Sequence, residues 1–336
     1  MKILIIGISG GTNIGGSFLK AANNLGISAV FQNRENAYQA PRWLKLYNWH
    51  IRGKYPSKLK KIEQEVLRII GQLCPQYLLT TGITPISQTT LQKIGSMGVQ
   101  RINFITDDPW NPAHYAPWFL KALPHYDIVF SPRHAVISDL LNLGCRQVEY
   151  LPFAYDLDLF YPEKFDQVND NVSMPDIVFA GGADRDRIPY ISALIKAGFK
   201  VDLYGGYWER YPETRTHTRG QADVPTLRKA LSSAKIGLCL VRRANRDGHC
   251  MRTFEVPAVG TCMLTEDTQE HRDIFGQEGE AVIYFKTLTE MVEKAHWLLN
   301  HDAERQRLAQ NAYRLITQGG HTYGDRLKTM LSFVNQ

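Results

Sequence analysis

Two carboxylates eight positions apart, Asp247 and Glu255, precede a glycine and an apolar run in Asp247-Gly-His-Cys-Met-Arg252-Thr253-Phe-Glu255-Val-Pro-Ala-Val-Gly260-Thr-Cys-Met-Leu-Thr265. The chemistry they suit is recognition of sugar-like hydroxyls. An ionised carboxylate accepts two hydrogen bonds from a vicinal diol such as that of ribose, and charge-assisted bonds are the stronger kind. The spacing puts Asp247 in a loop and Glu255 on the first turns of a short helix, residues 254–259, ended by Gly260. The alternative is a surface helix whose Glu255 faces solvent and whose glycine is only a cap.

Three further clusters carry candidate chemistry. Phe179-Ala-Gly181-Gly182-Ala-Asp184-Arg185-Asp-Arg187 pairs glycines with two arginines, and guanidinium forks can stabilise a departing diphosphate without a metal. The alternative pairs Arg185 and Arg187 with Asp184 and Asp186 at the surface. Thr106-Asp107-Asp108-Pro109-Trp110 follows a buried strand, and open parallel sheets hold ligands at the carboxyl ends of their strands. Asp107 or Asp108 could orient an acceptor hydroxyl or take its proton. Asp108 could instead cap a helix that opens with Pro109. The partner acids that a magnesium cage needs are missing nearby, so no metal is expected. His114, His134 and His249 are reserve candidates.

The third cluster is Gly7-Ile-Ser-Gly10-Gly11-Thr12-Asn13-Ile-Gly15-Gly16-Ser17, a turn entering a helix, where free backbone N–H groups could face an anion. It contains neither Gly-Lys-Ser/Thr nor G-x-G-x-x-G, and Gln32-Asn33-Arg34 ends the next strand without an acid for a ribose. Arg34 could meet the 2'-phosphate of NADP, which leaves an NADP-dependent oxidoreductase as a minor alternative.

The elements that must position these residues alternate between strand and helix. In the first half, strands are expected at residues 2–7, 28–32, 77–81, 101–106 and 126–131, with helices at 17–25, 59–73 and 134–143. Residues 156–175 lose periodicity and read as a linker. Strands at 177–180, 200–204, 236–240, 262–265 and 281–285 then alternate with helices at 190–197, 226–233, 289–299 and 303–316, and a last helix starts near His321. Such alternation implies parallel sheets with helices on both faces.

A chain of 336 residues, 44% hydrophobic, can bury two cores. No stretch reaches the roughly 20 apolar residues of a membrane span. The short run at residues 3–8 reads as a strand and not a signal peptide. Five scattered cysteines without C-x-x-C spacing fit reduced thiols and a cytoplasmic location. Residues 1–165 hold 17 Lys and Arg against 11 Asp and Glu, whereas residues 166–336 hold 22 of each. Much of the excess lies at residues 42–61 beside Trp43, Tyr47, Trp49 and Tyr55. That pattern suits an anionic acceptor or membrane surface, or else is a solvated helical face. Nucleic acid is not an expected partner.

The Asp247–Thr265 stretch resembles the donor-site signature of GT-B glycosyltransferases: an acid, seven residues, a Glu, then Ala-x-Ala-x-Gly-x-Pro-Val-Val. Within that clan it is most similar to the CgeB-like, spore-maturation group. Val201-Asp-Leu-Tyr204-Gly205-Gly206-Tyr-Trp208 resembles the Gly-x-x-Trp strand end of that group. Leu151-Pro-Phe-Ala-Tyr-Asp156-Leu-Asp158-Leu-Phe160-Tyr-Pro162 resembles the segment leading out of the first GT-B domain, without its Asn-Gly pair.

The resemblance implies an α/β GT-B fold of two facing Rossmann-like domains. An acceptor domain would span residues 1–160 and a donor domain 172–318, with a helix at 319–336 crossing back to the first domain. It implies a metal-independent hexosyltransferase using a UDP- or GDP-linked sugar in the interdomain cleft, with a glycan, lipid or small molecule as acceptor and no resident cofactor. Donor contacts would fall to Gly181, Gly182, Arg185, Arg187, Tyr204, Gly205, Asp247, Arg252, Thr253 and Glu255. Asp107 and Asp108 would serve the acceptor, and Gly10, Gly11, Thr12 and Asn13 would form the acceptor or phosphate loop. The enzyme would be cytoplasmic, with peripheral contact at the inner membrane face. The rival is a catalytically silent GT-B protein that binds a sugar nucleotide or glycan.

Overall fold

The computed structural model describes residues 1–164 and 174–334. The expected linker lies partly outside the described residues. The chain forms two compact units. The first comprises Met1–Pro152, Ala244–Arg246 and Tyr323–Gln336, and the second Phe153–Arg243 and Asp247–Thr322. The first unit thus ends ahead of the expected boundary at residue 160. The reason is packing: Phe153 stacks edge-on against His249, and Arg228 donates to the Leu159 carbonyl at 3.0 Å, all within the second unit.

The first unit is built on six strands: β1 Lys2–Gly7, β2 Ser28–Asn33, β3 Tyr77–Thr81, β4 Gln100–Phe104, β5 Ile128–Ser131 and β6 Val148–Tyr150. They pair in the order β2-β1-β3-β4-β5-β6, and every pairing is parallel. β1, β3 and β5 are almost wholly buried, which their Ile, Leu and Val runs require of a strand covered on both faces. Close approach sets the glycines of the first turn. A Cβ on Gly7 would lie 2.5 Å from the Thr81 hydroxyl, and one on Gly15 would lie 2.8 Å from the Ile8 carbonyl. The helix Ile14–Asn24 therefore sits tight on the end of β1. The closing helix Tyr323–Val334 belongs to this unit, where Tyr323 packs edge-on against Phe18.

The second unit repeats the plan with β7 Ile177–Ala180, β8 Val201–Tyr204, β9 Thr218–Gly220, β10 Ile236–Cys239, β11 Cys262–Glu266 and β12 Ile283–Phe285. Their order is β12-β11-β10-β7-β8-β9, again with parallel pairings throughout. Helix starts obey local grammar: Asp223 caps Val224–Ser233 by accepting from the Thr226 N–H, and Thr268 caps Gln269–Phe275 through the His271 N–H. Gly237 lets the helix Arg252–Ala258 lie directly on β10, since a Cβ there would meet Val256 at 2.4 Å.

Candidate functional site

In the second unit, β7 ends in the Gly181-Gly182 turn, and several expected site residues gather on it. The Gly181 N–H donates to the Tyr204 carbonyl at 2.8 Å, which joins the turn to the end of β8. Gly205 follows at φ +133, and a Cβ there would stand 2.4 Å from the Gly181 oxygen, so only glycine fits. The fully buried Trp208 donates its indole N–H to that same oxygen at 2.8 Å. The Gly-x-x-Trp strand end is therefore a brace for the turn.

Arg187 is a second brace. It is buried and donates to the Gly182 and Leu240 carbonyls, both at 3.2 Å, with its guanidinium over the Phe179 ring. Asp184 accepts the N–H groups of Asp186 and Arg187, and one of its oxygens lies 3.6 Å from the Arg187 guanidinium. Arg185, by contrast, is exposed and forms no ion pair among the described residues. Of the two arginines offered for diphosphate charge, Arg187 is engaged by the protein and Arg185 is available. Arg242, just past β10, is also half-exposed without a side-chain partner among the described residues, and sequence reasoning passed over it.

Glu255 lies in the first turn of Arg252–Ala258 and is 2% exposed, so it does not face solvent. Its carboxylate pairs with Arg252 one turn earlier, and Arg252 also donates to the Ala180 carbonyl at 3.3 Å. The pair thus sits against the end of β7. Thr253 is fully buried, its hydroxyl accepting from the Cys250 N–H and meeting His271 Nε2 at 3.0 Å, so it supports the helix from within. Asp247 is half-buried in the preceding loop. That loop is pinned at the fully buried His249, whose Nδ1 lies 2.5 Å from Glu270 and whose Nε2 accepts the Phe153 N–H at 3.1 Å.

Folding also makes a pair invisible in the cysteine spacing. The sulfurs of Cys239 and Cys250 lie 3.5 Å apart. The hydrogen bond from Cys239 lowers the Cys250 thiol, against burial, with help from Arg187 and Arg252.

In the first unit the adjacent acids part ways. Asp108 is 2% exposed; it accepts the Trp110 N–H at 2.9 Å and the Arg246 guanidinium at 2.6 Å. It therefore stabilises a turn and an ion pair, and no regular helix follows it. Asp107 stays partly exposed, with His114 Nε2 at 3.3 Å, the Asn245 amide at 3.1 Å and the Thr106 hydroxyl at 3.1 Å. Burial alone would raise the Asp107 carboxyl, but His114 and Arg133 hold it below the usual carboxylate range. Asn245 and Arg246 come from far along the sequence, and no local signal announced them. The first loop is exposed, with Gly10 and Gly11 at φ +83 and +54, and the Asn13 side chain folds back onto the Gly10 carbonyl at 2.8 Å.

The basic segment contains a helix that the periodicity did not announce, Arg42–His50. It exposes Trp43, Leu46, Tyr47 and Trp49, followed by Ile51. Among the described residues no helix is long and apolar enough to cross a membrane, and no group of three or more His, Cys, Asp or Glu is placed to hold a metal ion.

Residues 187–332 match the model of a glycosyl transferase-like family. No curated protein matches the sequence. Among solved structures the chain is similar to sucrose-phosphate synthase from Thermosynechococcus elongatus, at 14% identity over 99% of both chains with a TM-score of 0.69. HepE from Anabaena, in complex with UDP and glucose, is similar at 13% identity over 99% of both chains with a TM-score of 0.66. A UDP-N-acetylglucosamine 2-epimerase shares the fold at 12% identity, over 93% of this chain and 90% of its own, with a TM-score of 0.54. The fold is therefore GT-B, an architecture that carries more than one reaction.

Proposed function

We propose that this chain is a glycosyltransferase that moves a hexosyl group from a nucleoside diphosphate sugar to an acceptor bound by the first unit, without a metal. The observation that carries the reading is Glu255, a buried carboxylate in the first turn of a helix, inside the stretch that matches the glycosyl transferase-like family model. Glu255 exchanges its Arg252 partner for the ribose diol. Arg252 then turns to the diphosphate together with Arg185, while Arg187 and Trp208 keep the Gly181-Gly182 turn rigid enough for close approach of the nucleotide. As the acceptor oxygen attacks the anomeric carbon, the glycosidic bond pair leaves with the diphosphate, whose charge these cations stabilise. Asp107, with His114 beside it, serves the acceptor hydroxyl as base, and Asp108 is reserved for Arg246. The CgeB-like group is the subgroup we propose from its motifs.

UDP is the first donor nucleotide to test, because a GT-B relative binds it; GDP is the second. The acceptor is a glycan, lipid or small molecule. We place the enzyme in the cytoplasm, with the Trp43 and Trp49 face of Arg42–His50 touching an anionic membrane, since an amphipathic helix with cations and exposed aromatics suits that interface. A thermal-shift screen against UDP, GDP, ADP, TDP and CDP tests the donor site. A ligand at 100 times its dissociation constant adds about 2.7 kcal/mol to native stability. No shift with any diphosphate refutes the reading, and slow hydrolysis of the matching sugar nucleotide separates a transferase from a silent binding protein.

A further inference from the structure

The first unit contains a pocket of about 450 Å³, within the range of small-molecule sites, with Arg34, Tyr38, Lys45, Trp49, Ile83 and His114 in its wall. Three of its polar groups, Arg34, Tyr38 and Lys45, have one partner or none among the described residues. The Arg34 guanidinium makes one hydrogen bond, to the Thr81 carbonyl at 2.9 Å, and pairs with no carboxylate among the described residues. It reaches that position because Gly82 has no side chain: at φ +62, a Cβ there would lie 2.8 Å from Arg34 Nη1. Burial draws Arg34 below its usual value, only partly offset by Tyr38, Asp107 and Glu35. The Tyr38 hydroxyl makes no hydrogen bond to any described residue, and burial pushes it up to about 12, so it remains a donor. Lys45 is exposed and unpaired among the described residues.

Lys54 behaves differently. Its ammonium donates to the Pro112 and Tyr115 carbonyls at 3.0 Å and lies 5.3 Å from the Trp49 ring centre, so it shapes the wall. A half-buried guanidinium whose nearest carboxylates, Asp107 and Glu35, stay outside ion-pair distance gains from a ligand that brings an anion into contact. A fork, a phenol and an ammonium around one cavity match the oxygens of a phosphate ester. Glu35 also lines the pocket, but among the described residues no carboxylate forms an ion pair with Arg34 or Lys45, so the donors remain open to a ligand.

We propose that the acceptor carries a phosphate group and that this phosphate binds in the pocket against Arg34, Tyr38 and Lys45, with the acceptor body on Trp49 and Ile83 and its hydroxyl towards His114. The inference rests on the glycosyl-transfer reading, because only that reading makes the ligand an acceptor. The phosphate belongs either to a soluble ester or to a lipid headgroup, and Lys45 and Trp49 lie on the same helix as the exposed Trp43 and Tyr47.

The test measures binding of glycerol 3-phosphate, of glycerol, and of phosphatidic acid vesicles to the whole chain, with UDP affinity followed in parallel. Arg34→Met, Tyr38→Phe and Lys45→Gln are compared with the unaltered protein. Tyr38→Phe removes no side-chain hydrogen bond among the described residues, so it reports on the pocket even if Arg34→Met is unstable. We expect glycerol not to bind, and one phosphate arm to bind and weaken about tenfold or more in Tyr38→Phe and Arg34→Met, with UDP affinity retained. The arm that responds identifies the source as soluble or lipid. The proposal is overturned if neither phosphate arm binds, or if binding is the same in all variants. Failure of the unaltered protein to bind any nucleoside diphosphate would sink the donor reading instead, so the two failures are distinguishable.

Discussion

Replacing Glu255 by Gln keeps the side chain's size and one acceptor oxygen while removing its charge. In the ligand-free chain this carboxylate is 2% exposed and faces Arg252, whose side chain is 18% exposed. Arg252 keeps its bond to the Ala180 carbonyl and some contact with water, so the fold should lose less than the roughly 3–5 kcal/mol typical of breaking a fully buried pair. Hydrogen bonds to charged groups are worth about 1.5–3 kcal/mol each. A carboxylate holding a ribose diol should then contribute about 2–4 kcal/mol to nucleotide binding, which is roughly 30- to 700-fold in affinity. Calorimetric titration with the diphosphate selected by the thermal screen, and with its 2',3'-dideoxy analogue, isolates that contribution. The unaltered protein should prefer the ribonucleotide by this factor. Glu255→Gln should bind both weakly and almost equally. If the variant is folded and discriminates as well as the unaltered protein does, Glu255 does not hold the diol and the central assignment is wrong.

Transfer or donor hydrolysis should persist in EDTA, because Arg185 and Arg252 take the diphosphate charge; a strict need for Mg2+ or Mn2+ would move Asp107 to the donor. Reversing Lys58, Lys60 and Lys61 to Glu should weaken binding to anionic vesicles in a salt-dependent manner, each near-surface cation contributing on the order of 1 kcal/mol, and should leave nucleotide affinity intact. Vesicle binding that is absent from the unaltered protein would make the segment a solvated face. Burial lowers the His271 imidazole to about 4, so the folded chain holds it neutral between the Glu266 carbonyl and the Thr253 hydroxyl. Only the unfolded chain takes up that proton below about pH 6.5, so stability should be full above that pH and fall by about 3 kcal/mol as pH drops towards 4. Denaturation measured across this window should show that component in the unaltered protein and not in His271→Gln.

The strand-helix alternation was legible because its signals are local. β1, β3 and β7 fall on residues 2–7, 77–81 and 177–180 as their apolar runs foretell, and the long helices Leu59–Leu73 and Asp302–Gln318 follow their periodicity closely. Short elements were harder. β6 and β9, three residues each, and the helix Arg42–His50, whose apolar side chains face outward, give no periodic signal of burial.

For the site, residue types and strand ends were readable from the chain alone: Glu255 ahead of Gly260, two glycines with arginines after β7, two acids after β4. Each follows from chemistry confined to a few neighbouring residues. What each side chain is free to do was decided only by tertiary structure, because it depends on partners brought from elsewhere. Arg246 claims Asp108 across 138 positions and leaves Asp107 to His114. Arg187 is taken up by the Gly182 and Leu240 carbonyls, while Arg185 has no ion-pair partner among the described residues. Trp208 reaches back 27 positions to Gly181, and Gly82 opens the space in which Arg34 meets the pocket. Hydrogen bonding is short-ranged and directional, so sequence can nominate a charge, but only the folded packing determines whether that charge is already satisfied.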